Sequence, residues 1–421
     1  MSNYDLEWLN STGFFTIDLG LERMERLLQE MGNPQNSLKF IHTAGSNGKG
    51  SVCSMTETAL RKCGFKTGFY CSPHLVKLNE RFRINGKPVD DPLFIKSAER
   101  VRLAVESLRK QKISPTYFEI TTAIALEIFR DENVDYVLWE TGLGGRLDAT
   151  NVVSPILSII TGISLEHTHL LGNTLGEVAK EKAGIIKENV PVVCGPMPDE
   201  AFQVIRSVAE QKHATLTKVN PYRGNVHFQP ETFSQELEIE GISFRISLPG
   251  TYQRNNASTA FAALKILAER EGFDFRRALA GFAETVWNAR FQYIPGKNLI
   301  IDGAHNPEGM NALAGALREC FPGKTFRFLA GCFADKNAEE VVAAFAPLAK
   351  EVSWIEFDGS GRDIVPAEQL GALLEKANPG VPWQAEDLQT ALDSLPQERL
   401  TILCGSLHLC GEALELLGLN G

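Results

Sequence analysis

A glycine-rich stretch, residues 44–51, carries residue types that bind phosphate. It lies between a short apolar run and the helix-compatible run 52–63, so glycine N–H groups and a helix N-terminus would face one anion. Lys49 would then reach the terminal phosphates of a nucleotide, and the Ser51 hydroxyl would lie near Mg²⁺. Because Gly50 separates this lysine from the serine, the motif is imperfect, and a glycine-rich turn is the alternative.

Polar side chains follow two predicted strands, which is where open α/β sheets bind ligands. Ser72 comes after the strand 67–71, and it either ligates a metal through its hydroxyl or begins a Ser-Pro turn. Glu140 ends the apolar run 135–139. A carboxylate buried there needs a partner, because an unpaired buried charge is costly, and Mg²⁺ is a suitable one. The sequence therefore predicts a metal site near Glu140.

Two histidines, His167 and His169, follow the predicted strand 156–161. A histidine after a strand is either a metal ligand or a hydrogen-bonded turn residue. Because the chain also carries the phosphate-binding motif and Glu140, a role as metal ligand is favoured. The spacing alone does not choose between the two histidines.

Two further charged residues have less distinctive surroundings. Lys182 lies on an amphipathic helix, and its spacing predicts a solvated surface lysine paired with Glu181 or Glu177. Asp302 ends a strand in the second half of the chain. A carboxylate there either fixes the ribose or adenine side of a nucleotide or begins a turn.

Alternating strands and helices must position these groups, and such alternation indicates a parallel, doubly wound sheet. Residues 215–248 instead resemble a small antiparallel insertion or an edge sheet, and Pro-Gly-Lys at 295–297 is the predicted boundary. We predict an α/β chain with a P-loop-containing, doubly wound, mostly parallel sheet domain (1–295) and a smaller Rossmann-like α/β domain (296–421). The predicted helices include 21–31, 52–63, 93–111, 118–131, 256–269, 309–320, 338–350, 367–376 and 411–417.

Composition narrows the class of protein. At 421 residues, with 43% hydrophobic and 22% charged residues, the chain has the profile of a two-domain globular protein. It shows no secretory signal or bilayer-length apolar run, and its eight cysteines form no C-x-x-C pair. A net charge of −10 argues against nucleic acid or an anionic membrane as a partner. We expect a cytoplasmic enzyme that acts as a monomer.

Taken in order, these motifs resemble the folylpolyglutamate synthase/dihydrofolate synthase family of the Mur-ligase superfamily. The resemblance extends over essentially the whole chain. The segments that carry it are residues 16–23, 44–51, 72–75, 116–119, 140–151, 166–168, 181–185, 302–307 and 404–406.

The resemblance implies an active site in the cleft between the two domains. Its ATP contacts would be Ser46, Asn47, Gly48, Lys49, Gly50, Ser51, Asn256, Arg290 and Asp302. Its Mg²⁺ ligands would be Ser72, Glu140 and His167, with K⁺ as a further candidate cation. The dihydropteroate pocket would consist of Leu19, Gly20, Leu21, Thr116, Tyr117, Phe118, Glu119, Leu147, Asp148 and Ala149. Lys182 resembles the lysine that the family carbamylates to N6-carboxylysine, which reverses the surface-lysine interpretation. The implied catalytic residues are Lys49, Glu140, His167 and Lys182.

The chain departs from the family pattern at three places. Ser46 stands where a threonine is usual, and Glu166 stands where an aspartate precedes the metal histidine. The third departure is residues 287–290, which lack the Pro-Gly that usually precedes the arginine. A non-glycine residue before Arg290 affects how the hinge between the domains bends, and therefore how Arg290 approaches ATP.

The implied reaction is ATP-dependent addition of L-glutamate to dihydropteroate and to tetrahydrofolate, through an acyl phosphate. The retained segments 16–21 and 116–119 resemble the bifunctional bacterial type. A monofunctional folylpolyglutamate synthase and another Mur-type carboxylate–amine ligase are the alternatives within this class. A GTPase-like switch is the alternative outside it, but the chain lacks an N-K-x-D base-reading motif.

Overall fold

The computed structural model describes residues 7–10, 18–357, 359 and 361–419. Thr16 and Ile17, which begin the predicted motif 16–23, lie outside this part. Contacts divide the described chain into two compact units. The first holds the residues up to His74 together with Leu78–Arg223 and Asn255–Phe282. The second holds Leu75–Lys77, Gly224–Arg254 and the chain from Ala283 onward.

The first unit is built on an eight-stranded sheet flanked by helices. Its strands are β1 Phe40–Ala44, β2 Thr67–Tyr70, β3 Phe82–Ile84, β4 Lys87–Pro88, β5 Tyr136–Glu140, β6 Pro155–Ile160, β7 Val192–Cys194 and β8 Leu216–Lys218. Its helices are α1 Glu7–Asn10, α2 Glu22–Glu30, α3 Lys49–Lys62, α4 Asp91–Lys110, α5 Tyr117–Asp131, α6 Thr168–Leu171, α7 Leu175–Ala183, α8 Asp199–Gln211, most of α9 Thr251–Glu271, and α10 Phe275–Leu279. Short 3₁₀ turns lie at Pro34–Ser37, Leu78–Arg81, Ala149–Val152 and Ala280–Glu284, the last of which bridges the ends of the two units.

The strand order β4-β3-β2-β5-β1-β6-β7-β8 explains where the site forms. In this sheet the strands β2, β5, β1, β6, β7 and β8 are parallel to their neighbours. Strands β3 and β4 form an antiparallel hairpin at the edge beside β2. Strand β1 lies between β5 and β6, so the order reverses there, and the carboxyl ends of these three strands share one edge. Such a reversal is where doubly wound sheets bind ligands. The predicted doubly wound architecture is confirmed.

The second unit holds two sheets. Strands β9 His227–Gln229, β10 Ser234–Ile239 and β11 Ile242–Ile246 form an antiparallel sheet, as predicted for the insertion. The predicted start of the insertion at residue 215 is wrong, because β8 pairs in parallel with β7 in the first unit. The other sheet has the order β12-β13-β17-β14-β15-β16 and is parallel except for β12. Its strands are β12 Gln292–Ile294, β13 Leu299–Ile301, β14 Phe326–Ala330, β15 Ala349–Ile355, β16 Trp383–Glu386 and β17 Thr401–Cys404. Its helices are α11 Pro307–Cys320, α12 Ala338–Phe345, α13 Ala367–Ala377, α14 Leu388–Asp393 and α15 Leu407–Leu416.

The contact units do not follow the predicted boundary at residues 295–297. The insertion belongs with the second unit because Phe233 stacks on Tyr293, with ring centroids 4.6 Å apart, and on Phe291, at 5.8 Å. The functional division into residues 1–295 and 296–421 stays a prediction.

Three predicted helices have wrong bounds. The helix predicted for 256–269 begins earlier, at Thr251, and the bounds of the other two have identifiable reasons. The helix predicted for 338–350 ends at Phe345, because Pro347 cannot continue it, and β15 begins at Ala349. The last helix begins at Leu407, because the Ser406 hydroxyl accepts hydrogen bonds from the first N–H groups of that helix. Among the described residues, no helix has both the length and the apolar character needed to cross a membrane.

Candidate active site

The glycine-rich loop after β1 has the geometry of a phosphate cradle. Gly48 adopts a left-handed conformation, with φ of 86°, and α3 begins directly after it. A Cβ on Gly48 would overlap Oδ1 of Asn256, and one on Gly45 would overlap the Thr161 hydroxyl. Because glycine alone fits both positions, the backbone amides at the start of α3 stay open to an anion. The loop and Asn256, predicted as ATP contacts, therefore lie together.

Residues 161–164 brace this loop. The Ser46 amide donates to the Gly162 carbonyl at 2.9 Å, and the Ser46 hydroxyl contacts both the amide and the carbonyl of Ser164 at 3.0 Å. The Thr161 hydroxyl donates to the Asn47 carbonyl at 2.6 Å. Sequence reasoning missed Thr161. Its one signal was a polar residue directly after an apolar strand.

Lys49 lies in the first turn of α3, and its ammonium group folds back over the loop. Nζ donates to the Gly45 carbonyl at 2.9 Å and lies 3.4 Å from the Ser46 carbonyl. This position places a positive charge beside the phosphate cradle, as the motif predicts.

The three predicted metal ligands come from neighbouring parts of the sheet edge. Glu140 is buried at the end of β5, where it pairs in register with Thr43 of β1. Ser72 follows β2, the strand beside β5, and it lines a cavity together with His167. His169 is not among the residues that line this cavity. The two histidine rings are 6.4 Å apart, and His167 as the metal ligand stays a prediction.

The chemistry of these donors fits Mg²⁺, since a hydroxyl, a carboxylate and an imidazole supply two oxygens and one nitrogen. In the described part of the chain, no group of three or more His, Cys, Asp or Glu side chains is arranged to hold a metal. The predicted set has only two side chains of those types, so its completion depends on the Ser72 hydroxyl. Binding of Mg²⁺ and of K⁺ stays a prediction.

Lys182 is not a surface lysine. It is 1% exposed on α7, and its Nζ lies 2.6 Å from Oε1 of Glu166. Burial, reinforced by the charge of Lys49, lowers the pKa of Lys182 to about 8, although Glu166 opposes the shift. The interpretation of Lys182 as a solvated residue is therefore wrong, because the fold buries this face of α7.

Glu166 connects Lys182 to the phosphate loop. Burial would raise the pKa of Glu166, but the charges of Lys182 and Lys49 and a hydrogen bond from Ser46 lower it. Two departures from the family pattern, Ser46 and Glu166, are therefore in contact.

A cavity of about 350 Å³ is lined by two of the metal candidates, Ser72 and His167, and we call it the pteroate cavity after the predicted contacts among its lining residues. Of the predicted site residues, those that line it are Leu19, Gly20, Ser72, Thr116, Tyr117, Phe118, Glu119, Leu147, Asp148, Ala149 and His167. Leu21, the residue before α2, is not among them. Lining residues that sequence reasoning missed are Asp18, Pro73, Arg81, Gly142 and Leu143.

The start of α5 forms one wall of the pteroate cavity through a capping box. The Thr116 hydroxyl accepts from the Glu119 amide at 3.2 Å, and the Glu119 carboxylate accepts from the Thr116 amide at 2.7 Å. Arg81 lies 5.7 Å from the Tyr117 ring centroid and donates from Nε to Nδ1 of His74 at 2.9 Å. The wall thus combines aromatic rings with a buried guanidinium.

Another wall is the loop after β5, which Asp148 holds in shape. Its carboxylate accepts from the Leu143 amide at 2.7 Å and from the amide and hydroxyl of Thr150 at 3.0 and 2.5 Å. Burial raises the pKa of Asp148. Burial, helped by the charge of Lys187, lowers the pKa of His42 to about 3, so a neutral imidazole contacts the Thr150 hydroxyl.

A substitution at Gly142 tests whether Phe118 shapes the pteroate cavity, because a Cβ at residue 142 would overlap the Phe118 ring. We expect Gly142→Ala to weaken binding of dihydropteroate about tenfold and to lower the free energy of unfolding by roughly 1–3 kcal/mol, as overpacking does. A fluorescence titration and thermal unfolding measure the two effects.

Gly176→Ala, in α7, is the matched control, since its added methyl would meet only ordinary contacts at 3.5 Å and beyond. Unchanged dihydropteroate binding in Gly142→Ala would show that Phe118 does not shape the binding surface.

Asp302 and Arg290 are neighbours in the second unit. The Asp302 carboxylate accepts from the Phe291 amide at 2.7 Å and the Ala304 amide at 2.8 Å, so the turn interpretation holds in part. Burial raises the pKa of Asp302, and the Arg290 charge opposes that shift. Ala289, which precedes the arginine, has φ of 55°. It therefore adopts the conformation that glycine favours, at a cost of roughly 1–2 kcal/mol.

Comparison with known proteins agrees with this geometry. The Mur ligase middle domain matches residues 43–264, and the Mur ligase glutamate ligase domain matches residues 289–407. The dihydrofolate synthase/folylpolyglutamate synthase of Bacillus subtilis is 32% identical over 423 residues, which cover 96% of this chain and 96% of that protein.

Two solved structures share the fold. Folylpolyglutamate synthase from Thermotoga maritima has a TM-score of 0.84 and 32% identity, and the match covers 98% of this chain and 96% of that one. Escherichia coli FolC in complex with DHPP and ADP has a TM-score of 0.81 and 30% identity, with 98% and 96% covered. With such similarity over nearly its whole length, this chain belongs to the dihydrofolate synthase/folylpolyglutamate synthase family of Mur ligases.

Proposed function

We propose that this chain is an ATP-dependent ligase that adds L-glutamate to dihydropteroate and to tetrahydrofolate polyglutamates, releasing ADP and phosphate. The observation that carries the proposal is the pteroate cavity, where predicted pteroate contacts meet Ser72 and His167, two of the predicted metal ligands. ATP as the nucleotide is supported by the ADP in the E. coli neighbour.

In the first step, a carboxylate of the pteroate or folate attacks the γ-phosphate of ATP and forms an acyl phosphate. Two anions approach each other in this step, so their charge must be neutralised. Lys49 supplies one positive charge beside the phosphate cradle. Mg²⁺, held by Ser72, Glu140 and His167, would supply Lewis-acid charge neutralisation when bound. The amides of residues 47–51 orient the phosphates.

In the second step, the amine of L-glutamate attacks the acyl carbon, and phosphate leaves. The acyl phosphate must be protected from water until then, which is a role for closure of the active site. Asn256, Arg290 and Asp302 are proposed contacts of ATP. The Mur ligase glutamate ligase domain that matches residues 289–407 supports a role for that part of the chain in the same reaction.

Lys182 is proposed to act as a carbamate. Attack on CO₂ needs a neutral amine, and a pKa of about 8 leaves about a quarter of Lys182 neutral at pH 7.5, against roughly 0.1% for an ordinary lysine. The product is an anion at the end of a buried side chain, where it can orient the metal. The ion pair with Glu166 must then rearrange, because two carboxylates would otherwise lie in contact.

The alternatives are less consistent with the site. A Mur-type ligase for another substrate does not need residues 19–20 and 116–119, the segments of the predicted dihydropteroate pocket that line the cavity. A GTPase-like switch does not need Glu140, His167 and Lys182 together. A monofunctional folylpolyglutamate synthase differs only in its use of dihydropteroate. The DHPP in the E. coli neighbour supports the bifunctional reading.

One assay tests the whole proposal. ADP formation is measured with ATP, Mg²⁺ and L-glutamate, with either dihydropteroate or tetrahydrofolate as the acceptor. We expect acceptor-dependent ADP release with both compounds. Release with only one would contradict the bifunctional claim, and release with neither would contradict the proposal.

We also propose that the chain acts in the cytoplasm as a monomer. Light scattering of the purified protein measures its oligomeric state.

A further inference from the structure

A salt-bridge network joins the walls of the pteroate cavity, and its centre is Arg23. The guanidinium Nε of Arg23 lies 3.2 Å from both carboxylate oxygens of Glu119. Its two terminal nitrogens contact Asp18, one at 2.8 Å from the carboxylate and the other at 2.5 Å from the backbone carbonyl. Arg23 is therefore held between two lining residues of the cavity, although it is not itself among the lining residues.

The network ties an irregular segment to a helix. Residues 18–20 have no regular secondary structure, and Glu119 is buried in the first turn of α5, where it also closes the capping box. On its other side the Gly20 amide reaches the Leu147 carbonyl at 3.4 Å. Arg23 thus joins residues 18–20 to the start of α5, while the Gly20 amide joins them to the loop after β5.

We infer that Arg23 is a positioning residue for dihydropteroate: through Asp18 and Glu119 it holds residues 18–20 in place as a wall of the cavity. A planar guanidinium that contacts two carboxylates and a carbonyl fixes direction as well as charge, which an ammonium group does not. Without it, the binding of dihydropteroate must itself order that wall, so affinity falls while the reacting groups stay in place. This inference rests on the proposed function.

The test compares the steady-state constants of Arg23→Gln and Arg23→Lys with those of the full-length wild type. For Arg23→Gln we expect KM for dihydropteroate to rise about tenfold, with KM for ATP and kcat within twofold of wild type. Arg23→Lys keeps the charge and is expected to recover part of the loss. An unchanged KM for dihydropteroate, or an equal rise in KM for ATP, would overturn the inference.

Arg100→Gln is the matched control, because Arg100 also joins a buried glutamate, Glu127 at 3.0 Å, to an aspartate, Asp131 at 2.6 Å, in the same unit. Arg100 does not line the pteroate cavity. Its variant should lose a similar ion-pair network and keep KM for dihydropteroate. A rise equal to that of Arg23→Gln would show a general loss of stability and contradict the inference.

If Arg23→Gln fails to fold, Asp18→Asn replaces it, since the Asp18 side chain is 59% exposed and only the charge of its carboxylate beside Arg23 is lost, while the backbone carbonyl contact stays. We expect a rise of about threefold in KM for dihydropteroate, and no rise would overturn the inference. Failure of the proposed function is distinguishable, because it would appear in the wild type as no ADP release with dihydropteroate. Failure of the inference appears only between variants of an active enzyme.

Discussion

Replacement of Lys182 by alanine is expected to lower kcat about a thousandfold, which corresponds to about 4 kcal/mol of transition-state stabilisation. The variant removes the buried amine and, with it, the proposed carbamate that orients the metal. A short carboxylic acid such as acetate fits the space that the side chain leaves and restores an anion there. We therefore expect partial recovery of kcat in millimolar acetate, measured as acceptor-dependent ADP release.

The pH dependence follows from the same amine. Because the pKa of Lys182 is lowered to about 8, its neutral form increases from pH 7 to pH 9. With ¹³C-labelled bicarbonate, the carbamate signal in NMR spectra should increase over that range and be absent in Lys182→Ala. An acid-labile signal that persists in the variant would assign the carbamate to another lysine.

Lys180→Ala is the control for the Lys182 variant, since Lys180 lies on the same helix and is exposed. It should keep wild-type activity. Wild-type activity in Lys182→Ala would show that no carbamate is needed. Inactivity that acetate does not relieve, in a variant with normal thermal unfolding, would contradict the role of an anion at this position.

The second large effect is expected for Gly48→Ala, which should raise KM for ATP at least tenfold and lower kcat about a hundredfold. The added methyl would overlap Oδ1 of Asn256, and alanine is strained at φ of 86°. Relief of the overlap displaces either the Asn256 side chain, a predicted ATP contact, or the start of α3, where the amides and Lys49 face the phosphates. Misplacement by about 1 Å is enough to cost a hundredfold in rate. Equilibrium titration measures the loss of ATP binding, and steady-state kinetics measure the changes in KM and kcat.

Gly64→Ala separates strain from the overlap. Gly64 follows the other end of α3 with φ of 93°, and an added Cβ there meets no atom within 4 Å. The control should lose about 1 kcal/mol of stability and keep its KM for ATP. If Gly48→Ala binds ATP as the wild type does, the loop after β1 is a glycine-rich turn and not the nucleotide cradle.

By itself the sequence determined the elements and the order of the motifs. Apolar runs that end in Glu140 or in the glycine loop predict buried strands, because their hydrophobic residues fit nothing else at that length. The strand and helix alternation then leads to a doubly wound sheet, and the match of successive motifs leads to the family. The sequence also predicted antiparallel strands within residues 215–248, because apolar and polar side chains alternate there.

Only the tertiary structure decided which side chains share a site and what state they are in. Lys182 reads as a surface lysine because helical spacing does not show which face will be covered, whereas burial lowers its pKa and pairs it with Glu166. Thr161 and Arg23 act on residues more than 90 positions away, at distances that no local pattern encodes. The loop at residues 45–51 follows the same rule, since its glycines are required by Thr161 and Asn256, which the fold brings beside it.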